Sequence, residues 1–349
     1  MSKKNSQNTK KAVGLISGGL DSLLSAVILR DLGFKVIGLN FNTGFTGRCR
    51  DPVKEDDRRQ RKSISEIGEQ LGIEVRVIDI SDEYLEVLLN PEYGYGSAVN
   101  PCIDCHIFML KKAKRVMQEE DASFVFTGEV LGQRPMSQHL PTLRLIERES
   151  GLAGYLLRPL SAKLLDPTIP ELDGMVEREK LFAFSGRSRK PQMELARNLG
   201  LEGYQQPAGG CLLTDKSFGR KFRDLLGHLK DKSPSREDIM LLSLGRHFRL
   251  SERVKAVSGR DEEENEALDK MLSGKPRLQV DDGRGSAVYI VGDPTEDEII
   301  TAAGIAARYC HASVSENTLK SVRFIQYDCE RIIDSAPLLD ERLAEMRVY

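Results

Sequence analysis

The sequence predicts an α/β protein: an open, parallel, Rossmann-like sheet with helices on both faces, followed by a smaller α+β domain. Three observations carry this. Short apolar runs alternate with helix-like segments through the first half of the chain. A Gly-Gly turn flanked by serines joins the first apolar run to the first helix. After about residue 230 the pattern changes to short, closely spaced strands.

Taken in order, Ala12–Ile16 (AVGLI) is an apolar run suited to a strand buried on both faces. Ser17-Gly18-Gly19 reads as a turn. Asp21–Leu32 has apolar residues at helical spacing, and Gly33 ends it like a C-cap. Lys35–Phe41 is a second strand. A charged helix from about Asp56 to Leu71 leads to a third strand at Glu74–Ile80. Ile107–Gln118 reads as a helix and Ser123–Thr127 as a strand. In sheets of this kind ligands sit at the carboxyl ends of the strands. From Pro159 to about Leu226 the pattern is more helical, with Met193–Leu199 ending at Gly200 and a Pro207–Gly210 loop delivering Cys211. The polar, proline-interrupted segment Asp231–Arg236 (DKSPSR) reads as a linker, giving domains 1–230 and 231–349. Beyond it, Phe248–Val257, Arg277–Val280, Ala287–Val291 and Val322–Tyr327 read as strands. Pro294–Ala307 reads as a helix with an acidic first turn, which suits its dipole.

Composition bounds the function. Of 349 residues, 51 are Lys or Arg and 53 Asp or Glu, so the chain is not a uniformly basic nucleic-acid coat and RNA binding must use local patches. Trp is absent and aromatics make up 6%, which argues against an extensive base-stacking platform. No run approaches the ~20 apolar residues of a membrane helix. The polar start MSKKNSQNTKK lacks the apolar core of a secretory signal, so the expected location is the cytoplasm. In that reducing compartment the six cysteines are expected to be catalytic, metal-binding or buried rather than paired.

The sharpest motif is Ser17-Gly18-Gly19-Leu20-Asp21-Ser22 between strand and helix. Two glycines let the backbone approach a ligand and expose its N–H groups. Ser17 and Ser22 add hydroxyl donors, and the helix N-terminus adds partial positive charge. Asp21 is out of place in an anion site unless Mg²⁺ sits between it and the phosphates. The motif is not a Walker A loop, because no Gly-Lys-Ser/Thr ending follows. At these residues the sequence resembles the PP-loop ATP pyrophosphatases. The resemblance implies cleavage of ATP between its α- and β-phosphates and transfer of AMP to a carbonyl oxygen. A nucleophile then displaces AMP.

The cysteines select sulfur as that nucleophile. Asn100-Pro101-Cys102-Ile103-Asp104-Cys105-His106 carries a Cys-x-x-Cys in a loop just before a helix, where the helix N-terminus favours thiolate. Cys211 follows a glycine pair. A structural Zn²⁺ wants four protein ligands, and no second Cys-x-x-Cys exists. Cys102, Cys105 and Cys211 suit instead a [4Fe–4S] cluster with one iron open to hydrosulfide. The competing reading is a persulfide relay pairing Cys102 or Cys105 with Cys211. His106 reads as a helix-start residue, and Cys49, Cys310 and Cys329 as structural.

With these cysteines the resemblance narrows to tRNA thiolation enzymes. Asn-Pro-Cys-x-x-Cys is similar to the cysteine loop of tRNA 2-thiouridylases and iron–sulfur-dependent relatives. Thr127-Gly128-Glu129 through Gly132-Gln133 to Ser137-Gln138, followed by Leu157-Arg158-Pro159-Leu160, resembles a segment of tRNA 4-thiouridine synthetases. There it lines the ATP and uridine pocket, which implies nucleotide contacts for Thr127 and Gly128. The resemblance covers about Lys11 to Asp224. It departs in two ways: no THUMP region fits before Lys11, and no rhodanese domain supplies persulfide. Val257-Ser258-Gly259-Arg260 through Asn265, with Ala302–Ala307, resembles NFACT-type RNA-binding domains.

Basic clusters at Arg48–Lys62, at Arg187, Arg189 and Lys190, and at Arg220, Lys221 and Arg223 are candidate tRNA contacts, the last two flanking Cys211. The expected function is therefore an ATP- and Mg²⁺-dependent tRNA sulfurtransferase making thiouridine, 4-thiouridine ahead of 2-thiouridine. Its partners are tRNA and a sulfur donor, either sulfide or a persulfide carrier. The alternatives are a PP-loop amidotransferase or ligase using ammonia, and an RNA-binding protein with a vestigial nucleotide site.

Overall fold

The computed structural model describes residues 10–45, 63–204, 211–229, 233–281, 285–310, 318–327 and 329–349. The chain divides into two compact units, 1–212 and 213–349.

In the first unit, β1 (Lys11–Leu15), β2 (Lys35–Asn42), β3 (Glu74–Asp79), β4 (Phe124–Phe126) and β5 (Leu156–Leu157) form a sheet in the order β3-β2-β1-β4-β5. Every neighbouring pair is parallel. The helices are α1 (Leu20–Asp31), α2 (Ile64–Gln70), α3 (Ser81–Leu89), α4 (Cys102–Glu119), α5 (Leu140–Glu149), α6 (Ile169–Leu172) and α7 (Lys190–Asn198). Successive strand residues point to opposite faces. Ala12, Val36, Phe124, Phe126 and Leu157 meet Leu23, Leu24 and Val27 of α1 and Ala196 of α7 on one face. Val13, Ile37, Val125 and Leu156 meet Ile107, Leu110 and Ala113 of α4 and Ile146 of α5 on the other. Burial on both faces explains why these strands read as continuous apolar runs. The strand order reverses between β1 and β4, which opens a crevice at their carboxyl ends.

Two sequence expectations change here. The helix read from Ile107 begins at Cys102, so the Cys-x-x-Cys lies in its first turn rather than in a loop before it. Pro101 takes the N-cap, where its missing N–H forfeits no helical hydrogen bond. The helix expected from Asp56 is described from Ile64 onward, entered by a capping box between Ser63 and Glu66. Cys49 and the basic residues of the 48–62 cluster lie outside the described residues.

The second unit contains α8 (Lys216–His228), α9 (Arg236–Leu241), β6 (Arg246–Arg249), β7 (Lys255–Ser258), α10 (Glu262–Met271), β8 (Arg277–Val280), β9 (Val288–Val291), α11 (Glu296–Arg308), β10 (Lys320–Gln326), β11 (Cys329–Ser335), α12 (Asp340–Met346) and β12 (Arg347–Val348). Its sheet runs β11-β10-β8-β9-β7-β6-β12, antiparallel throughout. Ile299, Ala302, Ala303 and Ala306 of α11 pack on Phe248, Ala256, Val288 and Phe324. Leu241 and Leu268 pack on Val257 and Tyr289. The single strand read over Phe248–Val257 is two strands, β6 and β7, with Leu250 N–H closing the turn onto the Val254 carbonyl at 3.0 Å.

The domain boundary also moves, from about 230 to Leu212. The reason is α8. Lys221 Nζ is buried and donates to the carbonyls of Leu242 (3.0 Å) and Gly245 (2.9 Å), and Asp224 pairs with Arg249. The DKSPSR segment therefore joins two helices of one unit, and Ser235 caps the second of them. Lys221 is held inside the second unit and is not the surface RNA contact its charge suggested.

Candidate functional site

The first strand ends where the Ser17–Ser22 loop begins. Ile16 N–H bonds to the Leu39 carbonyl at 2.9 Å, and Asn40 Nδ2 donates to the Ile16 carbonyl at 2.7 Å. β2 thus fixes the point of departure. Gly18 then adopts φ +80, a left-handed conformation that glycine alone takes freely. Gly19 is the N-cap of α1 and supplies no side-chain hydrogen bond. The first N–H groups of α1 are left for an anion. The two serine hydroxyls brace the loop: Ser22 Oγ donates to the Gly19 carbonyl at 2.9 Å and lies 3.3 Å from both Ser17 Oγ and Ser17 N. The loop has the shape and donors to receive a phosphate, and it lies at the reversal of strand order.

Asp21 sits inside it. Burial pushes its carboxyl above the ordinary carboxylate value, while a hydrogen bond from Gln133 and the charges of Arg189 and Arg134 act the other way. Oδ2 accepts from Gln133 Nε2 at 3.2 Å, and Oδ1 is buried with no partner among the described residues. An orphaned carboxylate oxygen in a phosphate cradle fits a cation ligand. Arg189 Nε is likewise buried without a partner. The segment before it is drawn in by a bridge between Leu131 and Ser185 and by Gly186 N–H on the Leu131 carbonyl at 2.7 Å. Arg189, assigned from sequence to tRNA, is therefore a companion of the nucleotide loop. Gln133 and Arg134 carried a sequence signal only through the motif segment that contains them.

The residues after β4 form the opposite wall. A Cβ on Gly128 would lie 2.5 Å from the Asp21 carbonyl carbon and the Ser22 nitrogen, so glycine is what lets β4 close on the loop. Thr127 is buried and its hydroxyl donates to Glu129 Oε2 at 3.0 Å.

The cysteines converge within the same unit. Cys105 is pushed up to about 12 by burial; hydrogen bonding with Tyr84 opposes this, and the nearby Cys211 and Cys102 add to it. Tyr84 is itself raised by burial and by the same three sulfurs. Cys102 Sγ accepts from Asn100 Nδ2 at 3.1 Å. Cys211 is fixed by its neighbour, whose N–H bonds to the Phe45 carbonyl at 3.0 Å, and the Phe45 ring packs on Tyr84 at 5.9 Å. Tyr84 carried no sequence signal. The three cysteines lie near one hydroxyl, that of Tyr84, but among the described residues no set of three Cys, His, Asp or Glu is arranged to hold a metal ion. Cys310 is buried in the second core and Cys329 is exposed on β11.

His106 is more than a helix-start residue. Its Nδ1 lies 2.8 Å from Glu129 Oε1, and Glu129 takes Arg158 Nε on its other oxygen at 3.0 Å. No helix among the described residues is long and apolar enough to cross a membrane.

Residues 7–164 match the family model described as thiamine biosynthesis protein (ThiI), and residues 245–347 match that of the NFACT protein RNA-binding domain. The chain is 27% identical over 239 residues to a tRNA-specific 2-thiouridylase MnmA 1 of Thermoanaerobacter pseudethanolicus (strain ATCC 33223 / 39E), covering 62% of this chain and 59% of that one. It is 27% identical over 255 residues to the tRNA-specific 2-thiouridylase MnmA of Photorhabdus laumondii subsp. laumondii, covering 68% and 62%. The chain thus spans about three fifths of the length of these relatives. Among solved structures, a 4-thiouridine synthetase–RNA complex with bound ATP aligns with 67% of this chain and 52% of that one, at 20% identity and a TM-score of 0.38. The resemblances read from the two parts of the sequence both stand.

Proposed function

We propose that this chain, one part of which matches a ThiI family model and another an RNA-binding-domain model, is an ATP-dependent tRNA sulfurtransferase that makes thiouridine. The first unit, to Leu212, is the thiolation domain, and the second unit binds RNA. The supporting observation is that the cradle at Ser17–Ser22 and the convergence of Cys102, Cys105 and Cys211 on Tyr84 occur in one unit.

The chemistry follows from the residues. Gly18 and Gly19 amides and the Ser17 and Ser22 hydroxyls hold the phosphates of ATP, with Thr127 and Gly128 along the opposite wall. Arg189 adds a guanidinium beside Asp21. The uridine carbonyl oxygen attacks the α-phosphorus; the bond to the bridging oxygen breaks and pyrophosphate leaves, its charge met by loop N–H groups already in place. Asp21 would hold Mg²⁺, which when bound neutralises phosphate charge. Sulfur then adds to the activated carbon, and AMP departs with the former carbonyl oxygen.

Cys102, Cys105 and Cys211 would hold a [4Fe–4S] cluster, whose uncoordinated iron supplies a site for hydrosulfide. The donor set suits it in kind: three cysteine thiols, two of them in one helix first turn. A second reading, the persulfide relay, draws support from the unequal settings of Cys102, beside an amide donor, and Cys105, buried on Tyr84. The Thr127–Gln138 segment favours C4 over C2 of the uridine. Nucleoside mass spectrometry of tRNA from a strain lacking the protein tests the reading: one thiouridine should disappear, and its isomer identifies the carbon. An unchanged thionucleoside profile refutes it.

A further inference from the structure

We infer that His106 is a positioning residue that ties the cysteine-bearing first turn of α4 to the nucleotide loop. The inference rests on the sulfurtransferase reading for its purpose, and on geometry for its existence. His106 stands four residues after Cys102 on α4, so the two share a helix face with Cβ atoms about 5–6 Å apart. It also follows Cys105 directly. Its Nδ1 meets Glu129 Oε1 at 2.8 Å. An ionised carboxylate only accepts, so the ring presents Nδ1–H to it.

Glu129 is an unusual anchor. It is 5% exposed, and Arg158 beside it is 3% exposed. Its second oxygen takes both Thr127 Oγ1 and Arg158 Nε at 3.0 Å. Arg158 spends its remaining nitrogens on Glu147 Oε2 (3.1 Å) and the Leu143 carbonyl (3.2 Å). Glu147 in turn accepts from Gly154 N–H at 2.8 Å. Residues from α4, α5 and the ends of β4 and β5 thus fix one carboxylate in direction as well as position. Burying such a network stabilises little relative to an apolar core, but it holds its members in one arrangement. Burial would raise the Glu129 carboxyl, but Arg158 and His106 outweigh it and hold the carboxyl down to about 2.

The other end of the link is Gly128, where an added Cβ would fall 2.5 Å from the backbone of Asp21 and Ser22. A continuous path therefore runs from the phosphate cradle through Gly128 and Glu129 to His106 and the turn that holds Cys102 and Cys105. Nothing in the apolar packing of α4 requires a histidine at this position: its side chain is 25% exposed, and the helix core contacts are Ile107, Leu110 and Ala113.

The test uses the full chain and two substitutions. His106→Ala removes the donor. His106→Asn keeps an amide N–H near the place of Nδ1 and loses the imidazole. Hydrogen exchange of the α4 first turn, with and without ATP, reads the link directly; single-turnover tRNA thiolation reads its purpose. ATP should protect the turn in the wild type, His106→Ala should abolish that protection and slow thiolation by about 100-fold, and His106→Asn should restore both. Absence of ATP-dependent protection in the wild type overturns the inference. So does protection that persists in His106→Ala, or that is lost equally in both variants. Protection that depends on His106 in a protein that thiolates no tRNA would retain the link and refute the sulfurtransferase reading. Thiolation indifferent to both variants would overturn the positioning role of His106 and leave the sulfurtransferase reading standing.

Discussion

Gly128→Ala is the most direct probe of how the two walls of the crevice fit. The new methyl carbon would stand 2.5 Å from backbone atoms of Asp21 and Ser22, where ordinary contact begins at 3.4 Å. Either the end of β4 or the nucleotide loop must retreat by about 0.9 Å. Backbone cannot rotate aside as a flexible side chain can, so the strain is expected at about 1–3 kcal/mol, the range for overpacking a filled interior. For a unit of this size that lowers the unfolding midpoint by about 2–4 °C per kcal/mol. The functional loss should exceed the stability loss, because a displacement near 1 Å at a reacting centre costs about 100-fold in rate. Titration of the full chain with a fluorescent ATP analogue, alongside thermal unfolding, separates the two effects. Wild-type nucleotide affinity in a folded Gly128→Ala variant would refute the placement of Gly128 against the phosphate cradle.

Four further outcomes follow. Asp21→Ala should leave the fold intact and abolish pyrophosphate release driven by tRNA, and wild-type release would remove Asp21 from the metal role. Protein prepared without oxygen should carry about four iron atoms per chain, and Cys102→Ala, Cys105→Ala and Cys211→Ala should each lose iron and thiolation together. Full activity in iron-free protein, with one of Cys102 or Cys105 dispensable, would select the relay instead. Ending the chain after Leu212 should spare ATP binding, weaken tRNA binding and flatten its salt dependence; unchanged affinity over a salt titration would refute an RNA role for the second unit. Lys255 is lowered to about 8 from 10.5 by burial and by Arg249, so the unfolded chain holds the extra proton between those values. Stability of the second unit should therefore rise from pH 8 to 10.5, and Lys255→Met should flatten the rise seen in urea unfolding.

The fold was legible where one segment carries its own signal. The runs Ala12–Ile16 and Lys35–Phe41 read as buried strands because both faces are apolar, and the structure packs both faces. Ser17–Ser22 stood out because its glycines and hydroxyls are consecutive, and the structure makes of them one braced loop. What the sequence hid lies between segments. Arg189 looked like one of three surface cations; a bridge from Leu131 to Ser185 makes it a neighbour of Asp21. Lys221 had the same look and is buried on two carbonyls. Tyr84 is an ordinary aromatic on an amphipathic helix until three cysteines from distant positions meet around it. The domain boundary was misplaced because DKSPSR is turn chemistry, and turn chemistry does not say whether the helices on either side belong to one core.

The same distinction explains why His106 read only as a helix-start residue. A histidine at a helix start has no periodicity or motif to mark it, and its partner Glu129 is 23 residues away. Yet the strand order obliges the two to meet. β1 and β4 are neighbours at the reversal, and α4 precedes β4 and packs on the face of β1 and β4 through Ile107, Leu110 and Val125. The first turn of such a helix and the loop after the strand it leads into therefore lie at the same end of the sheet. Any polar pair placed at those two positions will join the helix to the nucleotide loop, whatever its sequence separation. A sulfur-bearing turn in one position and a phosphate cradle beside the other is the arrangement that gives such a pair work to do.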